Sequence, residues 1–279
     1  MKVKKYIIDT TLRDGEQTPG YAFSKAQKVK LAQLMDDGGI SQVEAGIPAM
    51  GNYEKDTICE IMSHRKKAII STWNRMNRDD INNSFDCHPD IIHISAPISY
   101  IHIYSKLNKN KIWLRRTLQE CVFMAKDKGY EVTVGFEDAS RADITFIISM
   151  ANLLSDMGVK SIRFADTVGV LTPSRTHQCI REIIENVDIP VGIHAHNDLG
   201  MACANSLTAA KAGAMYIDTT ISGMGERAGN CDLIQFVAAA GRIFDINPHS
   251  TDAVNISQKA QTVLLAIEGQ QKTEVISHG

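Results

Sequence analysis

No Cys-x-x-Cys pair occurs in the 279 residues, although six cysteines (Cys59, Cys87, Cys121, Cys179, Cys203 and Cys231) are scattered along them. That scatter argues against a zinc finger or an iron–sulfur cluster and for a reducing compartment. A signal peptide is also missing, as is any apolar run long enough to cross a bilayer. The expectation is a cytoplasmic protein with no membrane partner. An excess of charge of either sign is absent too, since the formal net charge is -2. The densest basic runs, Lys2-Val3-Lys4-Lys5 and His64-Arg65-Lys66-Lys67, are short and read as solvated edges. With no basic stripe carrying interleaved aromatics, nucleic acid is not an implied partner.

What the sequence does have is a repeated alternation. Short β-branched runs at Lys5–Thr11, Gln42–Ile47, Ala68–Trp73, Ile91–Pro97, Glu131–Glu137, Ser161–Thr167, Val191–Asn197 and Tyr216–Ser222 read as eight strands. Between and after them, Ser24–Asp37, Tyr53–Arg65, Asp79–Phe85, Lys111–Lys128, Ile144–Met157, Pro173–Val187, Leu199–Ala212 and Cys231–Ile243 read as helices. Boundary signals agree: Ser24 with Gln27 makes a capping box, Thr172-Pro173 is an N-cap before a first-turn proline, and Gly38, Gly129, Gly158 and Gly213 follow helix ends. Eight such units with apolar strands predict an α/β fold, the (β/α)8 TIM barrel, and 44% apolar content at this length suits one large core. Asp245-Ile246-Asn247-Pro248 breaks the alternation, and Thr251–Glu268 reads as one more helix. The expected division is a catalytic barrel over 1–247 and a short C-terminal helical extension over 248–279.

In a TIM barrel, catalytic groups project from the C-terminal ends of strands. Asp9 to Asp14, Glu44, Asn74-Arg75, Glu137-Asp138, Asp166-Thr167, His194-x-His196 and Gly223–Asn230 all fall there. Residues i and i+2 of a strand share a face, so His194 and His196 would project side by side as part of a metal site. Asp14 is the candidate third ligand, because strands 1 and 7 lie near one another around a closed barrel. Two imidazoles and a carboxylate leave positions for water and a chelating substrate, which suits Mg2+ or Mn2+ and also Zn2+, Co2+ or Fe2+. Non-haem iron oxygenases use the same set, but Arg13 beside Asp14 suits a substrate carboxylate or a developing oxyanion and favours redox-neutral chemistry. Asn230 would add an oxygen or simply hold its glycine-rich loop. Glu137 and Glu44 would transfer protons or orient ligands, while Arg141 and Arg227 would pair with carboxylates such as Asp138 and Glu226. Such a site fits a 2-oxo acid chelated through its carboxylate and keto oxygens and polarised for carbon–carbon bond making or breaking.

The motifs are specific. Asp9-Thr10-Thr11-Leu12-Arg13-Asp14-Gly15-Glu16-Gln17, Glu137-Asp138-Ala139-Ser140-Arg141, Phe164-Ala165-Asp166-Thr167-Val168-Gly169, His194-Ala195-His196-Asn197-Asp198-Leu199-Gly200 and Gly225-Glu226-Arg227-Ala228-Gly229-Asn230 resemble the metal-dependent condensing and lyase barrels that include the 2-isopropylmalate and homocitrate synthases. Phe-Ala-Asp-Thr-Val-Gly, with Lys106-Leu107-Asn108 after strand 4, looks most like the homocitrate synthases of nitrogen fixation, and the Gly-Glu-Arg-Ala-Gly-Asn loop resembles the synthases rather than the lyases. The resemblance implies Claisen condensation of acetyl-CoA with a 2-oxo dicarboxylate such as 2-oxoglutarate. Isopropylmalate, citramalate or Re-type citrate synthesis, a lyase or aldolase, and a non-catalytic partner subunit stand as alternatives. By position it implies Asp14, His194, His196 and Asn230 at the metal, Arg13 at the oxyanion, Glu137 in proton transfer, and Thr167 at the substrate, where the strand-end position of Glu44 places that residue as well. Family synthases carry a His-x-x-Ala-Gly-x-His segment beyond the barrel, which does not occur before His278-Gly279. The expectation is a separately encoded C-terminal subunit, a homo-oligomer, or both, with Thr251–Glu268 and its Val254, Ile256, Val263, Leu264, Leu265 and Ile267 forming part of the contact.

Overall fold

The computed structural model describes residues 2–277, with side chains through residue 265. Eight parallel strands alternate with helices: β1 (Lys4–Asp9), α1 (Lys25–Asp37), β2 (Gln42–Gly46), α2 (Asn52–His64), β3 (Ile69–Arg75), α3 (Arg78–Phe85), β4 (Ile91–Pro97), α4 (Lys111–Asp127), β5 (Glu131–Glu137), α5 (Ile144–Asp156), β6 (Ser161–Asp166), α6 (Pro173–Ile184), β7 (Val191–Ala195), α7 (Ala202–Ala212), β8 (Tyr216–Thr219) and α8 (Leu233–Ala240). Each strand pairs with the next, and β1 pairs with both β8 and β2, so the sheet closes into the expected barrel. The strands are buried on both faces, which is why they read as near-continuous apolar runs. On β4, Ile92 and Ile94 are fully buried while His93 and Ser95 alternate with them and line the cavity at the barrel mouth.

The capping signals are present where the sequence puts them. Ser24 accepts from the Gln27 backbone and Gln27 returns the bond, and Thr172 caps α6 ahead of Pro173. Gly38 differs in its reason: its φ is -80°, Gly39 takes the left-handed turn, and a Cβ on Gly38 would collide with Ile256. Lys5 departs from the solvated edge expected of it, since it is buried and its Nζ donates to Ala214 O at 2.7 Å.

Two stretches differ more. Residues Ile101–Lys106, between β4 and α4, form a turn of π-helix, a form often found at functional sites. Beyond α8, β9 (Asp245–Asn247) pairs with the start of β1, and α9 (Ser250–Ser277) follows. α9 packs on α1 and α8, burying Ala253, Ile256, Ala260 and Leu264 in the same core as the barrel. The apolar face expected to meet a partner is therefore largely spent on the barrel itself. Val254 and Val263 are half-buried, Leu265 is exposed, and Ile267, Glu268 and His278-Gly279 lie outside the described side chains. Among the described residues, no helix is long and apolar enough to cross a membrane.

Candidate active site

After β1 the chain folds back so that the N–H groups of Arg13, Asp14 and Gly15 all donate to Thr10 O, which turns both Arg13 and Asp14 into the barrel. Asp14 is 2% exposed, and His194 and His196 are each 5% exposed. Their ligand atoms lie within 4.8 Å of one another. His194 Nε2 stands 3.2 Å from His196 Nε2 and 3.6 Å from Asp14 Oδ2. His196 sits just past β7, where it bridges antiparallel to Asn230. Asn230 donates through Nδ2 to Asp14 Oδ2 and to Met224 O, so it joins this group.

Beneath these side chains runs a nearly closed circuit of buried ion pairs. Arg13 gives Nη1 to Asp14 Oδ1 at 2.9 Å and Nε to Glu44 Oε1 at 2.7 Å. Arg163, on β6, gives Nη2 to the other Glu44 oxygen at 2.9 Å and Nε to Asp218 Oδ2 at 2.9 Å. Asp218, on β8, faces His194 Nδ1 at 3.0 Å. Glu44 thus has both oxygens engaged by arginines rather than turned to the cavity. Burial by itself raises its pKa, but Arg163 and then Arg13 outweigh burial and hold the carboxyl well below the usual range.

The residues present fit a divalent ion. Asp218 anchors His194 through Nδ1, the arrangement that leaves the opposite nitrogen as a ligand atom. Burial, followed by the neighbouring His194, pushes His196 down to about 3, which keeps its imidazole in the neutral ligating form. For Asp14 burial raises the pKa, yet Arg13 and the two histidines carry it below the ordinary value. Asn230 Oδ1 and His196 Nδ1 are buried without a partner, a cost that a bound ion or its ordered water would relieve.

The mouth above holds a cavity of about 480 Å³ lined by Arg13, Trp73, Glu137, Thr167, His194 and His196 among others. Glu137, at the end of β5, lies 3.2 Å from His102 Nδ1 and 3.4 Å from Lys106 Nζ, both on the π-helical turn. Thr167 lines the cavity while its hydroxyl accepts from the Asp138 backbone N–H at 2.8 Å. Asp138 is taken by Arg141 and Ser99, and Arg227 pairs with Asp198 and Glu226. Asn74 ties β3 to β4 through His93 O, Arg75 pairs with Asp80, and Asp166 caps Val170 and Leu171. Sequence reasoning missed Arg163, Asp218, His93 and His102. For Arg163 and His93 the available signal was a polar residue alone between apolar strand neighbours, whereas Asp218 is followed by Thr219 and His102 lies on the π-helical turn, outside any strand.

The sequence pattern of the HMGL-like family matches residues 4–263. The chain is 44% identical over 257 residues to the homocitrate synthase subunit alpha of Clostridium pasteurianum, covering 92% of this chain and 96% of that protein. It is 44% identical to 2-isopropylmalate synthase 2 of Caldanaerobacter subterraneus subsp. tengcongensis over 87% of this chain, and 41% identical to a homocitrate synthase of Frankia sp. over 92%. The chain spans 63% and 64% of those two longer relatives. Among solved structures, the HMG-CoA lyase of Bacillus subtilis superposes with a TM-score of 0.84 over 96% of both chains at 16% identity, a likeness of fold.

Proposed function

The chain belongs to the HMGL-like family, and from that premise we propose that it is a metal-dependent condensing enzyme of the homocitrate synthase type, joining acetyl-CoA to 2-oxoglutarate. The observation that carries this reading is the convergence of Asp14, His194 and His196 on one another, with Arg13 beside them, at the mouth of a cavity that also holds Glu137. Homocitrate synthases recur among the relatives, at 37–44% identity.

Asp14, His194 and His196 would hold Mg2+, Mn2+ or Zn2+, with Asn230 adjusting its amide to join them. Once bound, that ion would polarise the keto group of the 2-oxo acid. Arg13 carries a fixed positive charge, kept there by Glu44 and stacked over Trp73, and it lies where charge builds on the keto oxygen. In the condensation the acetyl methyl loses a proton, its carbon forms a bond to the keto carbon, and the C=O electron pair moves to oxygen, which takes up a proton. Water then cleaves the thioester, releasing CoA and the tricarboxylic acid. Glu137 takes part in these proton transfers, and Thr167 contacts the substrate while holding Asp138 in place.

The Clostridium pasteurianum relative is named as a subunit. On that likeness we include a second, separately encoded subunit that completes the mouth and helps deprotonate the weakly acidic methyl group. A reducing cytoplasm is the compartment in keeping with six free thiols. The test is free CoA release with pyruvate, 2-oxoisovalerate, oxaloacetate and 2-oxoglutarate, using the chain alone and with the candidate partner. Release with 2-oxoglutarate that rises sharply on adding the partner is expected. Release with none of the four overturns the condensation, and full turnover by the chain alone overturns the need for a partner.

A further inference from the structure

Behind the bridge that joins His196 to Asn230, cysteines from two different βα units meet. Cys203 stands in the first turn of α7, and Cys231 follows Asn230 in the loop between β8 and α8. Both are free thiols, and Cys231 Sγ donates to Cys203 Sγ at 3.4 Å. Cys231 is fully buried, whereas Cys203 is half-buried and open to small solutes. The backbone around the pair leads directly to the candidate metal ligands. Cys231 O accepts from Thr220 N at 3.0 Å, and the preceding residue, Asn230, donates through Nδ2 to Asp14 Oδ2. On the α7 side, Asn197 follows His196, donates its N–H to Gly229 O at 2.8 Å, and accepts from Ala202 N through Oδ1 at 3.0 Å.

We propose that Cys203 and Cys231 are a redox modification site: a small peroxide joins them in a reversible disulfide, and the bond displaces Asn230 and weakens divalent-ion binding at Asp14. The second part rests on the reading of Asp14, His194 and His196 as the metal site. Cys203 reacts first, because it is the accessible thiol and a helix first turn favours a thiolate. Its sulfur attacks one peroxide oxygen, the O–O bond breaks, and the departing oxygen takes the Cys203 proton and leaves as water. The Cys231 sulfur then displaces hydroxyl from the Cys203 sulfenic acid, and that hydroxyl takes the Cys231 proton to leave as a second water. Two thiols lose two electrons, the peroxide is reduced to two waters, and a dithiol reductant reverses the bond. A disulfide needs its sulfurs about 2.05 Å apart, so closing the 3.4 Å contact draws Cys231 and the first turn of α7 together. Cys231 O is pinned by Thr220 N, and the movement passes to the residue beside it, Asn230. In a reducing compartment the dithiol is the resting form and the disulfide a transient response to oxidant.

The two cysteines fall in different tryptic peptides, 182–211 and 228–242, neither of which carries another cysteine. The metal-free full chain is treated with hydrogen peroxide, freed of it, and mapped by mass spectrometry with and without dithiothreitol. Calorimetry with Mn2+ then compares the reduced and oxidised forms. The expected result is a dithiothreitol-sensitive linkage of the two peptides and an Mn2+ affinity about tenfold lower in the oxidised form, the scale on which groups supporting metal ligands act. Cys203→Ala and Cys203→Ser, each checked for folding by thermal melting, are expected to form no linkage, to bind Mn2+ within about twofold of the reduced wild type, and to lose nothing on peroxide treatment. Oxidised protein in which Cys203 and Cys231 stay free thiols, or go only to irreversible acids, overturns the disulfide. A disulfide with unchanged Mn2+ affinity, or an equal loss in Cys203→Ala, overturns the coupling to Asn230. If the reduced wild type binds no Mn2+, the metal reading falls and the coupling with it, while the peptide map still decides the disulfide.

Discussion

Replacing Arg163 with Met removes one guanidinium from between two buried carboxylates while nearly keeping the side chain's length. Arg163 is 6% exposed, and Glu44 and Asp218 are 0% and 2% exposed, so water cannot take its place freely. Breaking a buried ion pair by deleting one partner costs about 3–5 kcal/mol, because the remaining charge is stranded. Here two pairs share one cation, and each carboxylate keeps a second contact, Glu44 with Arg13 and Asp218 with His194. The two losses therefore do not add, and the expected cost for the variant stays at about 3–5 kcal/mol. Against a total stability of roughly 5–15 kcal/mol this is severe, and at about 2–4 °C per kcal/mol for a chain of this size the melting point falls by roughly 6–20 °C. Thermal and urea unfolding followed by circular dichroism measure it.

The acid limb gives a second, independent reading of the same variant. Ionised Glu44 has a depressed pKa in the fold, so it stabilises the protein above the ordinary carboxylate range, and the contribution fades as pH falls toward the depressed value. Arg163 is the foremost cause of that depression. The stability gap between wild type and Arg163→Met is therefore widest above about pH 5 and narrows below it. A loss under about 1 kcal/mol, typical of exposed pairs, or a gap that does not change with pH, would refute the idea that these charges are buried and coupled.

His196→Ala is expected to abolish stoichiometric binding of a divalent ion, read by calorimetry or elemental analysis of the dialysed protein; metal content equal to wild type would remove His196 from the site. Burial raises Asp9 to about 7, so the wild type loses stability as pH climbs from the ordinary carboxylate range through neutrality. Asp9→Asn can keep the bond from Thr11 N and loses that dependence, so its stability relative to wild type should grow between pH 5 and pH 8, and a flat difference in urea midpoints would contradict it. Ser24→Ala breaks the capping box of α1 and should cost about 0.5–2 kcal/mol, with no change in metal affinity.

The barrel was legible because burial on both faces leaves each strand as a compact apolar run, and because Ser24 and Thr172 punctuate helix starts through side-chain bonds that depend on residue type. Where long-range contacts decide a boundary, the sequence has no local mark of it. β7 stops at Ala195 instead of Asn197 because His196 leaves the ladder to pair with Asn230. α7 starts at Ala202 rather than Leu199, its first turn held by the Asn197 side chain across Gly200 at φ +70°. The β9 strand is three residues long, too short for any period to show, and exists only because β1 offers it an edge.

The same distinction separates the upper and lower halves of the site. Residues at strand ends, such as Asp14, Glu137 and His196, stand in polar runs where a fold that delivers strand ends to one mouth brings them together. Arg163 and His93 each stand alone among apolar neighbours, as in Ile162-Arg163-Phe164, Asp218 sits inside the short strand Tyr216–Thr219, and what they face is fixed only when the barrel closes and sets Ile8 opposite Asp218. Closure also gives these hidden charges a task. Because Asp218 faces His194 Nδ1, Arg163 joins Asp218 to Glu44, and Glu44 holds Arg13, the imidazole proposed to bind the metal and the arginine proposed to face the keto group are parts of one circuit. A change at any link should therefore alter metal affinity and 2-oxo acid affinity together.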